Sequence, residues 1–454
     1  MLDTQNHSIR ERSSKCRTRI AVQAQWQTVV AAGAAAVLVA ACGSTAKSAN
    51  ANPTSSPSTT AAPVSFSLWE SHNGGPVGNA MAALVKQFDA SHPSVQVSLT
   101  ITKASKKLVA AIAAGNAPVL AEISHYDGPL VSGKALVPWN PYLKGSSTFT
   151  KANVVPAVWA NGTVGGQHYR LQTDLKLSEV FYNETMFQAA GITSPPATWT
   201  QLAADAAKVK ASGVIPLGWK DSSAHILPAF MSNGGTLLAG GNSVGQAVNF
   251  NNAAGNTTFS YFSSLYKSGD LVFDHGTTLR ADLASGHMAM IDGTSAGYQK
   301  VLDAVGGKFK VGAFVEPAGS TGHAANLAQG LGFVLPKGHT AAQDSAAWTF
   351  VQWWFQPPQQ AYWAEQTGYA PETRSGVVAV PSSFLSSHPG LAASISAATS
   401  PYTVPRPVSD SYKEVQAALD AAFQQITTGK ESVASGLAKL DSQGDSYMRG
   451  ASQI

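Results

Sequence analysis

Arg406 stands between Pro405 and Pro407, in a stretch with few conformations to lose. A guanidinium there offers a rigid fork of N–H donors matched to two phosphate oxygens; the position reads equally as a surface arginine beside a hinge. Thr294 and Ser295, after Ile291, Asp292 and Gly293, can donate hydroxyls to a polar ligand or simply close a turn. Trp219 ends an apolar run behind Gly218. An indole there would cover the apolar face of a ligand, or a choline-like cation, and leave polar edges free. Lys176 is either a second cation for a phosphate or a solvated lysine. Residues 241–245 (GNSVG) and 293–297 (GTSAG) match G-x-S-x-G, which on a strand-to-helix turn exposes a nucleophilic serine. Ser295 is the better placed of the two, although a chain this rich in Gly and Ser gives such matches by chance. Asp127 and Asp174 are carboxylates without the distinctive context that glycoside hydrolysis would need. Gly330, in Gln329-Gly330-Leu331-Gly332-Phe333, belongs to no nucleotide fingerprint, because the spacing is wrong and no lysine follows. The 11 histidines are scattered without an H-E-x-x-H pair, so no metal is expected. No cofactor is expected either, and binding is favoured over catalysis.

The N-terminal part fixes the compartment. Arg10, Arg12, Lys15, Arg17 and Arg19 precede the apolar residues 29–38, and Val39-Ala40-Ala41 precede Cys42. This is a positive n-region, a short h-region and a small-residue cleavage site. The apolar run is about a dozen residues, short of the ~20 a spanning helix needs. Cys16 leaves with the signal, so the rest of the chain carries no pair for a disulfide. The signal also explains the formal charge of +4: without it, 25 basic and 24 acidic residues remain. No basic stripe with interleaved aromatics suggests nucleic acid.

Residues 43–63 lack apolar periodicity and read as a flexible tether. Beyond Pro63 the pattern changes. Residues 65–69 alternate as a strand, and Met81, Leu84, Val85 and Phe88 mark one face of a helix. Residues 96–101 form a second strand, Leu108 and Ile112 a second helix, and residues 119–123 a third strand. Strand and helix alternation implies a parallel sheet with helices on its faces, and ligands then sit beyond the carboxyl ends of the strands. That puts residues 69–73, with Trp69, and 124–127 at a ligand-facing rim. Further on, residues 180–183, 214–219 and 287–291 read as strands. Thr198 is expected to cap a helix carrying Leu202, Ala206 and Val209. The tail over 412–446 is expected to be helical, with Val415, Leu419, Phe423 and Ile426 on one face.

The phrases LWESHNGG, LVKQFDASHPSVQV, AAIAAGNAP, VFYNETMFQAAG, PPATWTQL, SGHMAMIDG, QTGYAPE and SPYTVPRPVSDSYKEV together resemble the family-1 extracellular solute-binding proteins of bacterial ABC importers. Within that class LWESH, GWK and TGYAP paired with Arg406 lean toward binders of glycerol 3-phosphate and glycerophosphodiesters. Sugar binders of the same class, of the maltose or trehalose type, are the alternative. The resemblance implies a two-lobed α/β fold of the class II periplasmic-binding-protein type, with ligand in the interlobe cleft. The expected division is a lipoprotein signal over 1–41, a tether over 42–63, one lobe from 64–171 with 317–358, and a second from 172–316 with 359–454. It implies a monomer, held to the membrane by lipid on Cys42 at the extracytoplasmic face. The monomer would deliver a small polar ligand to permease subunits coupled to a cytoplasmic ATPase. The expected binding residues are Trp69, His125, Asp127, Lys176, Trp219, Thr294, Ser295, Gly330, Tyr369 and Arg406. The family pattern is broken where Ser222 replaces a second tryptophan, where Leu175-Lys176 replaces a serine pair, where Ala104 replaces a tyrosine, and where His125 replaces an acidic residue, with Asp127 two positions later. The anion-reading half is thus better kept than the hydroxyl-reading half.

Replacing Cys42 with Ser is expected to abolish acyl labelling and release the protein from the membrane fraction. Unchanged labelling would remove Cys42 as the anchor.

Overall fold

Phe66 and Leu68 alternate with Ser65 and Ser67 in the first strand, β1 (Val64–Glu70), and the apolar pair faces the core. Helix α1 (Gly75–Ser91) lays Met81, Leu84, Val85 and Phe88 on the same core, as a 3.6-residue period requires. β2 (Val95–Ile101), α2 (Ala104–Ala113) and β3 (Leu120–Ile123) follow. The short strands β4 (Leu136–Val137) and β5 (Leu171–Gln172) complete this stretch. The computed structural model describes residues 62–450 apart from Asn73, residues 125–126, Asp221 and residues 240–246. The signal, Cys42, nearly all of the tether, His125 and the segment 241–245 therefore lie outside the described residues.

A second series is built likewise: β6 (Ser178–Asn183), α3 (Trp199–Lys210), β7 (Ile215–Lys220), α4 (Ala253–Ser268), β8 (Leu271–Asp274), α5 (Gly276–Ser285), β9 (Met288–Thr294), α6 (Tyr298–Val305) and β10 (Val311–Val315). Thr198 caps α3 by accepting the Gln201 N–H at 3.1 Å, and Leu202, Ala206 and Val209 are buried. The chain then returns through β11 (Gly332–Pro336) to the first sheet and continues as α7 (Ala341–Trp354) and α8 (Pro357–Thr367). It ends in α9 (Pro389–Ala398), α10 (Tyr412–Thr427) and α11 (Val433–Gly450). The helical tail is thus two helices, parted at Thr428 and the left-handed Gly429.

The first sheet has the order β2-β1-β3-β11-β4, with β5 also on β11, and the second β8-β7-β9-β6-β10. Neither is wholly parallel. β1 runs parallel to β2 and β3, but β11 runs antiparallel to β3, β4 and β5. β7 is parallel to β8 and β9, whereas β6 is antiparallel to β9 and β10. Local alternation cannot foresee this, because the reversed strand of the first sheet arrives from beyond residue 330, after the second sheet is built.

Each sheet has its own core. Phe66, Phe88, Phe333, Phe350 and Trp354 pack on the face of the first that Glu70 shares, and Trp199, Trp219, Phe262 and Phe423 on one face of the second. Trp363, Tyr369, Val380 and Leu391 also join the first core, so packing passes to the second only near Val415. No helix among the described residues is long and apolar enough to cross a membrane.

Glu179 of β6 is fully buried and accepts the Ser394 hydroxyl from α9. Burial pushes its carboxyl up to about 8, against the opposing hydroxyl. A carboxyl raised from about 4.5 to about 8 stabilises the fold fully below the lower value, and that stability drains away as pH climbs to the upper one. Glu179→Gln, a neutral isostere, is expected to flatten the fall in Tm between about pH 5 and 8 and to be the more stable protein at the upper end. Parallel Tm–pH curves for both proteins would refute this assignment.

Candidate functional site

The carboxyl ends of β1, β7 and β9 open onto one cleft of 510 Å³. His72 and the N-terminal turn of α1 (Gly75, Pro76, Val77) line one side. Lys220, Arg280, Thr294 and Lys300 line the other, with Lys176 and Tyr369 between. Gly74 caps α1 without a side-chain hydrogen bond, so the positive end of a 17-residue helix meets the cleft.

Cations dominate the wall. Lys176, Lys220, Arg280 and Lys300 face Asp292 and Asp303, and Asp292 is already engaged. Its Oδ1 accepts the Lys220 backbone N–H at 2.6 Å, and its Oδ2 lies 2.5 Å from His225 Nδ1 and 3.9 Å from Lys220 Nζ. Burial opposes the Asp292 charge, but these partners hold its carboxyl below the usual carboxylate range. Burial lowers the Lys176 ammonium from its ordinary value; Asp174 opposes this, while Arg406, Lys220 and Lys300 add to it. Lys176 Nζ lies 5.9 Å from the Tyr369 ring centroid, a cation–π distance. Tyr369 stacks on Trp363 at 6.1 Å and 9°. Burial first, and then Asp174, keep its phenol well above the ordinary range, so it remains a donor.

At the floor lies His72. Nδ1 is 2.5 Å from Glu70 Oε1 and 3.4 Å from Glu122 Oε2; Nε2 is 2.8 Å from Asp174 Oδ2 and 3.2 Å from the Tyr369 hydroxyl. Burial disfavours the imidazolium, but Asp174, Glu122 and Glu70 outweigh it and raise the histidine far above its ordinary value. Burial, then the Asp174 charge, pushes Glu122 up to about 7.

Of the residues singled out in the sequence, Lys176, Thr294 and Tyr369 line the cleft. Trp219 does not: it is fully buried, donates to the His225 carbonyl at 2.9 Å, and packs on Trp199 and Phe262. Strand alternation turns its neighbour Lys220 to the cleft instead. Trp69 likewise packs beneath β1 against the cluster of Leu108, Ile123 and Leu130, while Glu70 takes the other face. Asp127 is buried in an ion pair with Arg170, 3.0 Å from Nε. The Arg406 guanidinium is buried, donating to Gln329 Oε1 at 3.1 Å and to the Tyr412 hydroxyl at 3.3 Å. It reaches the cleft through its field on Lys176.

Ser295 begins the turn after β9, 1% exposed, and its hydroxyl hydrogen-bonds no base. Among the described residues no base of the kind that activates an elbow serine holds it. Gly330 has φ +149°, and a Cβ there would lie 1.5 Å from the Asp174 carbonyl oxygen, so glycine is required by close backbone approach. Sequence reasoning missed His72, Glu70, Glu122, Lys220, Arg280 and Lys300. Glu70 was within reach, since it shares parity with Phe66 and Leu68; so was Glu122, the one charge in an otherwise apolar strand.

Residues 83–393 match a family model described as bacterial extracellular solute-binding protein. The sn-glycerol-3-phosphate-binding periplasmic protein UgpB of Pectobacterium atrosepticum is 23% identical over 84% of this chain and 90% of its own. Among solved structures, the cyclic alpha-maltosyl-1,6-maltose binding protein of Arthrobacter globiformis superposes with a TM-score of 0.73. It is 23% identical and covers 86% of this chain and 100% of its own. UgpB of Mycobacterium tuberculosis, in complex with glycerophosphocholine, gives 0.71 at 18% identity, over 86% and 98%. These likenesses carry the two-lobed α/β fold.

Gly330→Ala is expected to cost about 2–4 kcal/mol of stability, through displacement of the Asp174 backbone. An unchanged denaturant midpoint would show that this backbone yields freely.

Proposed function

Because this chain belongs to the bacterial extracellular solute-binding protein family, we propose that it captures a small anionic solute, glycerol 3-phosphate or a glycerophosphodiester. It would deliver that solute to a membrane permease of an ABC importer. The observation that carries this reading is the gathering of Lys176, Lys220, Arg280 and Lys300 on one cleft, with Asp292 already paired to its own neighbours. Burial first, and then Arg406, Lys220 and Lys300, lower the Lys176 ammonium, and a phosphate would favour its charged form through charge-assisted hydrogen bonds. The N-terminus of α1 adds backbone donors suited to an anion. Tyr369 and Thr294 supply hydroxyls. The anchoring role that Pro-Arg-Pro suggested for Arg406 passes to the lysines, with Arg406 adding positive field behind them.

Contacts from both sides of the cleft would favour a closed form, as in hinge closure around a ligand. The protein does no chemistry on its ligand and acts as a monomer. Lipid on Cys42 would hold it to the membrane at the extracytoplasmic face, and residues 43–63 would let the closed body reach its permease. A single acyl chain anchors only marginally, so more than one is required.

An oligosaccharide is the second reading. Tyr369, Thr294 and Gln299, which line the cleft, could meet sugar hydroxyls. The resemblance to a maltosyl-maltose binding protein points the same way.

Calorimetry with glycerol 3-phosphate, glycerophosphocholine, maltose and trehalose separates the two. Tight binding of a phosphate ester is expected, weakened by about 2–4 kcal/mol in Lys176→Ala or Lys220→Ala through loss of a charge-assisted pair. Sugar binding without phosphate-ester binding, or full phosphate affinity in both variants, would overturn the anion reading.

A further inference from the structure

The floor of the cleft gathers donors that capture of an anion leaves unused. Glu70 closes β1, and Glu122 stands beside it on β3, because the register that pairs Leu68 with Leu120 and Trp69 with Ala121 sets the next two residues side by side. Both carboxylates are fully buried. Like charges opposite one another in a sheet repel, and buried carboxylates require a compensating cation. The His72 imidazole turns Nδ1 toward both, 2.5 Å from Glu70 Oε1 and 3.4 Å from Glu122 Oε2.

Each glutamate is held chiefly through Oε1. Glu70 Oε1 accepts the His72 backbone N–H at 2.5 Å, and Glu122 Oε1 accepts the Thr173 hydroxyl at 2.6 Å. Glu70 Oε2 is buried without a hydrogen-bond partner, and Glu122 Oε2 has only the long 3.4 Å approach of His72 Nδ1. One donor atom from each of Glu70, His72 and Glu122 lies within 4.8 Å of the others, a spacing that one ion can bridge. On the far side of the ring, Nε2 lies 2.8 Å from Asp174 Oδ2. A metal-bound histidine characteristically gives its second N–H to a carboxylate, which fixes the tautomer and aims the other nitrogen's lone pair. Asp174 stands where such an orienting carboxylate stands.

We propose that Glu70, His72 and Glu122 form a binding site for a divalent transition-metal ion of the zinc or manganese class, with Asp174 orienting the imidazole. Two carboxylate oxygens and one imidazole nitrogen suit those ions; calcium takes oxygen ligands. A doubly charged ion neutralises both glutamates and displaces the proton between Nδ1 and Glu70. His72 lines the cleft, so an ion has an entry path beside its ring. The inference does not depend on which solute the cleft takes.

The test uses the purified full chain, stripped with a chelator and titrated with Zn²⁺, Mn²⁺ and Ca²⁺ separately. Calorimetry, elemental analysis after dialysis and thermal unfolding are the readouts. One zinc or manganese per chain with a raised Tm is expected, since an ion bound only by the native state raises apparent stability, and calcium should give neither. Glu122→Gln and His72→Gln should each weaken the site at least about tenfold, and Asp174→Asn, which spares all three ligands, about tenfold. Should the first two variants fail to fold, the Asp174→Asn comparison decides alone. Absence of a stoichiometric metal in the wild-type chain, or undiminished affinity in the folded variants, would overturn the proposal and leave a proton as the only cation there.

Discussion

Buried negative charge needs a positive partner, and much of the cleft is arranged around one such compensation. His72 meets Glu70 and Glu122 through one ring nitrogen and Asp174 through the other. Those three acids come from three parts of the chain. Glu70 ends β1 and Glu122 lies one residue from the end of the parallel neighbour β3, and Asp174 follows the short strand that pairs with β11. An unpaired charge in such a place costs several kcal/mol, so the register of β1 on β3 and the path of residues 172–176 are coupled through a single imidazole. Asp174 then ties in two more features. Its backbone oxygen presses on Gly330 so closely that no side chain fits there, and its charge reaches Lys176 and Tyr369.

From that floor upward, the cleft is organised by the two-residue period of strands. Along β7 the apolar Leu217 and Trp219 go to the second core, and Lys220 is left to the solute. Along β1, Trp69 packs beneath the sheet while Glu70 turns to the other face. A shift of one residue exchanges an aromatic platform for a charge. That exchange gives the cleft its character: a wall of ammonium and guanidinium groups, with the large indoles withdrawn into the two cores.

Charge is used sparingly in this chain, where only 12% of residues are Asp, Glu, Lys or Arg. Several of those few are nevertheless buried or half-buried at or behind the cleft. Arg170 and Asp127 neutralise one another away from it. Arg406 is fastened to Gln329 and Tyr412. With those two guanidinium groups spent on structure, Lys176, Lys220, Lys300 and Arg280 are the cations that line the cleft.

Much of this was legible in the chain itself. Periodicity marked the amphipathic helix at Met81–Leu84–Val85–Phe88, the Thr198 cap and the strand at 180–183, because helices and strands are set by neighbours a few residues apart. The rim after β1 was also legible, since ligands gather at strand ends in sheets of this kind. What the sequence could not decide was which side chain at that rim faces the solute. The aromatic and the arginine that stood out by type, Trp219 and Arg406, are bound up in packing and buried hydrogen bonds. Their plainer neighbours Lys220 and Lys176 line the cleft. The reversed strand β11 was hidden for the same reason, as was the meeting of Glu70, Glu122 and Asp174 on His72. Strand β11 pairs with residues about 210 positions earlier, and Glu122 and Asp174 lie 50 and 102 positions from His72; only the closed sheet, with its register and twist, brings them within reach of one another.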